Sequence, residues 1–496
     1  PMLTTRRWAA LLLAGSLLSC SPGQERAGSR AVAAGDAVWF EDGIAAGETD
    51  VEQTLLAAGF STVFLPAVRL TREAGRWTSA QLPAPPRPFE QAKVFLVAAG
   101  APDLDSGVED AASAEALEQT AANALQACLR GRALYAAKIS GVHVDVPFAP
   151  VSAQAYGAFL KTLRAKIPTE YLLTFSLRFT PAEADREKLL AAFAPADGFV
   201  AFVFGEAAAA APVASDGLGK PWWAAYSPAA RGLWKDASGK TRGPLAEKHL
   251  LALVDDSRVD VTHDLTFREE AASAFLLSPR QPLEAAGTEF GAGNRLFFRQ
   301  PSLNEMLSRF GADLAGRRNV RGRIVALPGT SEAERFITLG ALADVNLGRS
   351  LDPDLRVSVS GAGTPDVTVS AHNASAHGSV ISRTLNWVEV DLPAGGARDV
   401  QPGGFDRYQE YDAEGRSVTP GRAKRVRFFE TLVGPSEQIE PAKILFYQPA
   451  SADCCRYRQA VTSPTGAELN TDWIVPTPAP TPVPPEKPPQ RKRGRR

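Results

Sequence analysis

The segment Gly141-Val142-His143-Val144-Asp145-Val146-Pro147 sets two chemistry-bearing side chains two residues apart. On an extended strand His143 and Asp145 share one face and the three valines take the other. An imidazole in a pocket can serve as a base, and a carboxylate as acid, base or nucleophile. The same residues also suit a hydrogen-bonded core histidine and a structural ion pair, and both readings stay open. A second stretch, Leu173 to Arg178, repeats the alternation, with Thr174, Ser176 and Arg178 on one face. Further carboxylates that could complete a pair with Asp145 are Glu41, beside Asp42 after an apolar run, and Glu206, just past Gly205. Glycoside hydrolysis asks for two carboxyls about 5–5.5 Å apart for retention and about 6.5–9.5 Å for inversion. Trp222, Trp223 and Tyr226 offer rings that stack on sugars or pack a wall. Arg69, Arg178 and Arg299 could hold an anionic substrate or neutralise the acids. The site expected from these residues has Asp145 with Glu206 or Glu41 as catalytic groups. Arg178, Tyr226, His143, Arg299 and Trp222 are expected to line it.

Other chemistries find little support. The five histidines show no zinc-like spacing, and there is no phosphate-cradling glycine loop or nucleophile elbow. No metal and no cofactor are expected.

The elements that must position these residues come from periodicity. Val38–Phe40, Phe60–Ala67, Ala92–Ala98, Ser140–Phe148, Tyr171–Arg178, Phe199–Phe204 and Trp222–Tyr226 read as strands separated by helical patterns. Leu296–Arg299 reads as an eighth. Thr49 with Glu52 looks like a capping box. In the helix after the fourth strand, Tyr156, Phe159, Leu160, Leu163 and Ile167 share a face. Eight β/α steps over residues 36–316 have the size of a (β/α)8 TIM-like barrel, with catalytic groups at the carboxyl ends of its strands. Valines then face the helices, and His143 and Asp145 face the lumen. Over 320–450, short alternating runs separated by Gly, Pro and Asp predict an all-β sandwich-like domain, with strands that include Arg323–Ala326 and Phe336–Leu342.

The Gly-x-x-x-Asp strand, the Tyr/Phe/Leu helix and the Thr-x-Ser strand resemble those of glycosidase-related barrels. They resemble more closely a group of bacterial secreted proteins and lipoproteins known only as a domain of unknown function. The resemblance implies a glycosidase-like TIM barrel. In chitinase-type barrels the matching strand reads Asp-x-x-Asp-x-Asp-x-Glu; here only Asp145 matches an Asp, and Pro147 stands where that pattern has its acid.

The N-terminal stretch supplies an address. Arg6 and Arg7 precede an apolar run from Trp8 to Leu18, too short to span a bilayer, which predicts a signal peptide over 1–19. Leu17-Leu18-Ser19-Cys20 resembles the lipobox of bacterial lipoproteins, which implies lipidation at Cys20. Ser21 after it resembles the pattern sorted to the outer membrane. Residues 20–35 read as a flexible tether, and 474–496 as a Pro-rich, basic, disordered tail. The formal charge of −1 conceals a net +5 over 476–496, so an acidic body carries a basic tip. Near-neutrality gives no general case for nucleic-acid binding. The expected partners are a membrane, reached through the lipid anchor, and a glycan or other envelope polymer. The expected function is an envelope lipoprotein, lipid-anchored in the outer membrane, whose barrel binds and could hydrolyse a carbohydrate. The alternative is a non-catalytic surface binding or assembly protein.

Overall fold

In the computed structural model residues 35–476 are described, apart from 74–75, 101–107, 203–210, 268–271, 301–302, 304–313, 330–336, 420–421 and 452–453. Eight strands form the first domain: β1 (Ala37–Phe40), β2 (Thr62–Glu73), β3 (Lys93–Gly100), β4 (Ile139–Asp145), β5 (Leu172–Leu177), β6 (Gly198–Phe202), β7 (Trp222–Tyr226) and β8 (Val320–Leu327). Each pairs in parallel with the next. β8 returns to β1, with Ala37 opposite Ile324 and Phe40 opposite Leu327, so the sheet closes. The architecture is a TIM-like barrel followed by a β domain.

The closing strand differs from expectation. Leu296–Arg299 lies in the strand Arg295–Gln300, which pairs antiparallel with Ala272–Pro279 and Arg231–Lys235. Its residues alternate between exposed and buried, the mark of a sheet covered on one side, whereas β8 ends in five consecutive buried residues. Residues 227–319 are thus an insertion between β7 and β8 that builds its own five-stranded antiparallel sheet. Arg323–Ala326, expected in the sandwich, belongs to the barrel.

Helices cover the barrel's outer face: α1 (Val51–Ala57), α2 (Ala111–Arg130), α3 (Ala153–Lys166), α4 (Arg186–Phe193) and α5 (Ala211–Gly217). They are followed by α6 (Glu247–Leu253) in the insertion and α7 (Leu339–Asn346) after β8. Asp110 caps α2 by accepting from the Ser113 N–H at 2.8 Å. α7 occupies part of the span expected as the strand Phe336–Leu342, because the Thr338 hydroxyl caps the Ala341 N–H at 2.9 Å. α3 buries Tyr156, Phe159, Leu160 and Leu163, the face its spacing predicts. Among the described residues no helix is long and apolar enough to cross a membrane.

The C-terminal domain packs a four-stranded sheet on a five-stranded one. Val367, Val369 and Ile444 of the first share a core with Val388, Val426 and Phe428 of the second. Its strands run on to Tyr457–Thr462 and Glu468–Asn470, past residue 450. Cys454 and Cys455 form a disulfide between neighbours in sequence, and Cys128 is a buried free thiol. The signal segment, Cys20 and most of the Pro-rich tail lie outside the described residues.

Candidate functional site

Strand alternation on β4 and β5 sorts their side chains between the helices and the lumen. Val142, Val144, Leu173, Phe175 and Leu177 join the core under the helices, while His143, Asp145, Thr174 and Ser176 turn inward. Gly141 is required where β4 meets β5, because a Cβ there would stand 2.5 Å from the Leu172 carbonyl oxygen.

The lumen is filled rather than open. Phe64 stacks on Phe95 with centroids 4.7 Å apart, and Trp39 lies 5.8 Å from Phe64 and 5.7 Å from Phe202. Trp223 closes against Phe95 at 5.9 Å. His143 is fully buried in this cluster, its ring 5.0 Å from Trp39 and 5.3 Å from Phe64. Its Nδ1 is 2.9 Å from Thr174 Oγ1 and its Nε2 is 3.0 Å from Ser176 Oγ. Thr174 Oγ1 also donates to the Val142 carbonyl oxygen at 3.3 Å. Burial pushes the imidazole down to about 3 against the pull of Asp145, with Arg178 adding to the depression. His143 is therefore a neutral core histidine, one of the two readings left open above.

Asp145 stands at the carboxyl end of β4, and Arg178 follows β5. Arg178 Nη2 donates to Oδ1 and Oδ2 of Asp145, both at 2.7 Å, and Nε donates to Oδ1 at 3.1 Å. The Asp145 side chain is 10% exposed and that of Arg178 44%. Burial raises the Asp145 carboxyl, but the charge and hydrogen bonds of Arg178 outweigh it and hold the group below its usual range. Arg178 also lies 4.5 Å above the Phe202 ring. The result is an ionised acid, a planar cation and a half-buried aromatic face on three successive strands of the C-terminal rim.

A second ion pair sits at the end of β1. Arg231, on the first strand of the insertion's sheet, donates to Glu41 Oε1 and Oε2 at 2.6 and 2.7 Å, and to Ser227 at 3.2 Å. Asp42 accepts from the Gly329 N–H at 2.9 Å, with Arg69 3.8 Å away. Sequence reasoning missed Arg231, because only the insertion's topology returns it to the rim.

Two expected lining residues face the helices, and a third lies off the barrel strands. Trp222 is fully buried on the helix side, where its indole N–H donates to Asp216 at 3.3 Å and its ring stacks on Phe199. Tyr226 shares its strand parity and joins the same outer core. Small Ala225 faces inward instead, because Trp39, Phe64 and Phe95 from other strands already fill the lumen. Arg299 is exposed on the insertion's sheet, opposite Arg231, and not on a barrel strand. Glu206 lies outside the described residues. Among those described, no group of three His, Cys, Asp or Glu side chains is placed to hold a metal ion.

Neither a protein-family model nor any curated protein matches the sequence. Solved structures are similar to it at low identity. The spore cortex-lytic enzyme SleL of Bacillus cereus is 11% identical, with 63% of this chain covering 73% of that one at a TM-score of 0.38. A glycoside hydrolase family 18 N-acetylglucosaminidase from Paenibacillus barengoltzii is 14% identical, with 62% covering 98% at 0.38. The cell-surface-expressed chitinase ChiW of a Paenibacillus species is 11% identical, with 89% of this chain covering 56% of that one at 0.39.

Proposed function

We propose that this chain is an envelope lipoprotein, anchored through an acylated Cys20, whose barrel binds a carbohydrate at its C-terminal rim and does not cleave it through proton donation by Asp145. The observation that carries the reading is the two-oxygen clamp of Arg178 on Asp145. A carboxylate so held is ionised and has no proton to give. Arg178 stacked on Phe202, with Asp145 and Glu41 at the same rim, offers a planar face and oriented polar edges. Such groups recognise sugar rings and hydroxyls. Leu233 and Phe297, 55% and 50% exposed, share a sheet face with Arg231 and extend an apolar wall from it.

The test is a screen of the soluble chain from residue 36 onward on glycan arrays and chromogenic glycosides, alongside Asp145→Asn and Arg178→Gln. Binding without turnover is expected, weakened in both variants. Turnover abolished by Asp145→Asn would overturn the reading. A second reading, hydrolysis with Asp145 as a fixed negative charge, is favoured by its depressed carboxyl and would need its acid from elsewhere, Glu206 being the sequence candidate. For the anchor, Cys20→Ala should move the protein from the membrane fraction to the soluble one; unchanged fractionation refutes lipidation.

A further inference from the structure

The five-stranded sheet of the C-terminal domain turns one face to the shared core and the other outward. Register places Arg427, Glu389 and Arg458 side by side on three adjacent strands. The Glu389 side chain is only 1% exposed, and its carboxylate holds Arg427 Nη2 at 2.7 Å and Arg458 Nη2 at 2.6 Å. The guanidinium planes are sandwiched between rings. Arg427 lies 4.2 Å from the Trp387 centroid and 5.0 Å from Tyr411, and Arg458 lies 5.6 Å from Trp387 and 4.8 Å from Trp473.

Both ion pairs use the Nε and Nη2 side of the guanidinium. Among the described residues neither Nη1 has a hydrogen-bond partner, although the side chains are 23% and 32% exposed. The outward edges are thus oriented and available. Arg425 and Arg456 flank Asp391 in the row below, and Arg407 covers Phe429 in the row above. These rows carry five arginines against Glu389 and Asp391, in a chain whose overall formal charge is −1.

We propose that this face binds an acidic polysaccharide, with sugar carboxylates taken by the outward guanidinium edges. Arg427 and Arg458 stand two strand spacings apart, roughly 10 Å, the scale of a disaccharide repeat. Planar forks suit carboxylates better than point charges do. The rings are covered by guanidinium groups, which leaves little open aromatic surface for nucleobases. None of these residues lies at the barrel rim, and the readout is binding, so the inference stands or falls apart from the barrel's function.

The test uses the full chain with Lys487, Arg491, Lys492, Arg493, Arg495 and Arg496 replaced by Gln, which prevents the tail from capturing polyanions itself. The probe is polygalacturonate, with its methyl ester as the uncharged control. Salt-sensitive binding to the acid and none to the ester is expected. Arg456→Gln with Arg458→Gln should weaken it by at least about tenfold, and Arg458→Lys by less, with thermal melting as the folding control. Should the double variant melt early, Arg456→Glu alone, half exposed at the edge of the cluster, must still produce a loss. No binding to polygalacturonate, equal binding to the ester, or unchanged affinity in the folded variants would overturn the proposal. So would tighter binding to oligothymidylate or to phosphatidylglycerol vesicles.

Discussion

At the scale of single residues, Asp145 and Arg178 are unequal partners. The acid is nearly sealed and the cation is almost half exposed. Removing the cation strands a buried charge, whereas removing the acid leaves an arginine that water can reach. Arg178→Gln should therefore cost about 3 kcal/mol and Asp145→Asn about 1 kcal/mol in urea unfolding. The pH dependence follows from two depressed groups. The stability contributed by His143 is present above its ordinary 6.5 and is lost as pH falls toward about 3. That of Asp145 is present above its ordinary 3.8 and is lost below it. Acid unfolding followed by circular dichroism should begin at higher pH in Arg178→Gln than in the parent. The inward turn of His143 and Asp145 was legible because β4 alternates cleanly. The neutrality of His143 was not, since it depends on rings from β1 and β2. Parity alone did not say which tryptophan of the Trp222-Trp223 pair faces the lumen; that is decided by how much space the other strands leave.

At the scale of elements, seven barrel strands were readable as apolar runs with helical patterns between them. The eighth was misplaced because two candidates followed one another and length favoured the first. The run Leu296-Phe297-Phe298 hides the alternation in burial that only the structure shows, whereas β8 ends in an unbroken buried apolar run. The expected capping box at Thr49 and Glu52 also resolved differently. Glu52 accepts the N–H groups of Glu90, Gln91 and Ala92 at 3.0, 2.7 and 2.9 Å, which ties α1 to the loop before β3. Helix packing is equally specific. α3 and α4 approach so closely at Gly157 that a Cβ would stand 2.4 Å from the Ala192 carbonyl oxygen. Gly157→Ala should destabilise the barrel by about 1–3 kcal/mol, read as a lower denaturation midpoint. An unchanged midpoint would mean that the two helices slide apart freely.

At the scale of the molecule, the insertion and the sandwich are joined by polar contacts. Ser273 donates to the Ile381 carbonyl oxygen at 2.9 Å, and Arg383 donates to Asp255 at 3.3 Å. Beside that junction Glu430 is pushed up to about 10 by burial and by the charges of Asp406, Glu437 and Asp255. A carboxyl raised in the folded state favours folding below its unfolded value, and the advantage is lost as pH rises through the folded one. Glu430→Gln, neutral at every pH, should raise the melting temperature at mildly alkaline pH by about 5 °C and leave it little changed near pH 4. Calorimetry at the two pH values checks both halves. The order of strands around the barrel has a consequence in time. β1 finds one neighbour within a few dozen residues, but its other edge waits for β8, whose Ile324 faces Ala37. A nascent chain that stops anywhere before residue 327 presents two raw sheet edges, which invite pairing with other chains. Ring closure across so long a span slows the search for the native state, and a holding chaperone during synthesis would shield the unfinished sheet until its last stave arrives.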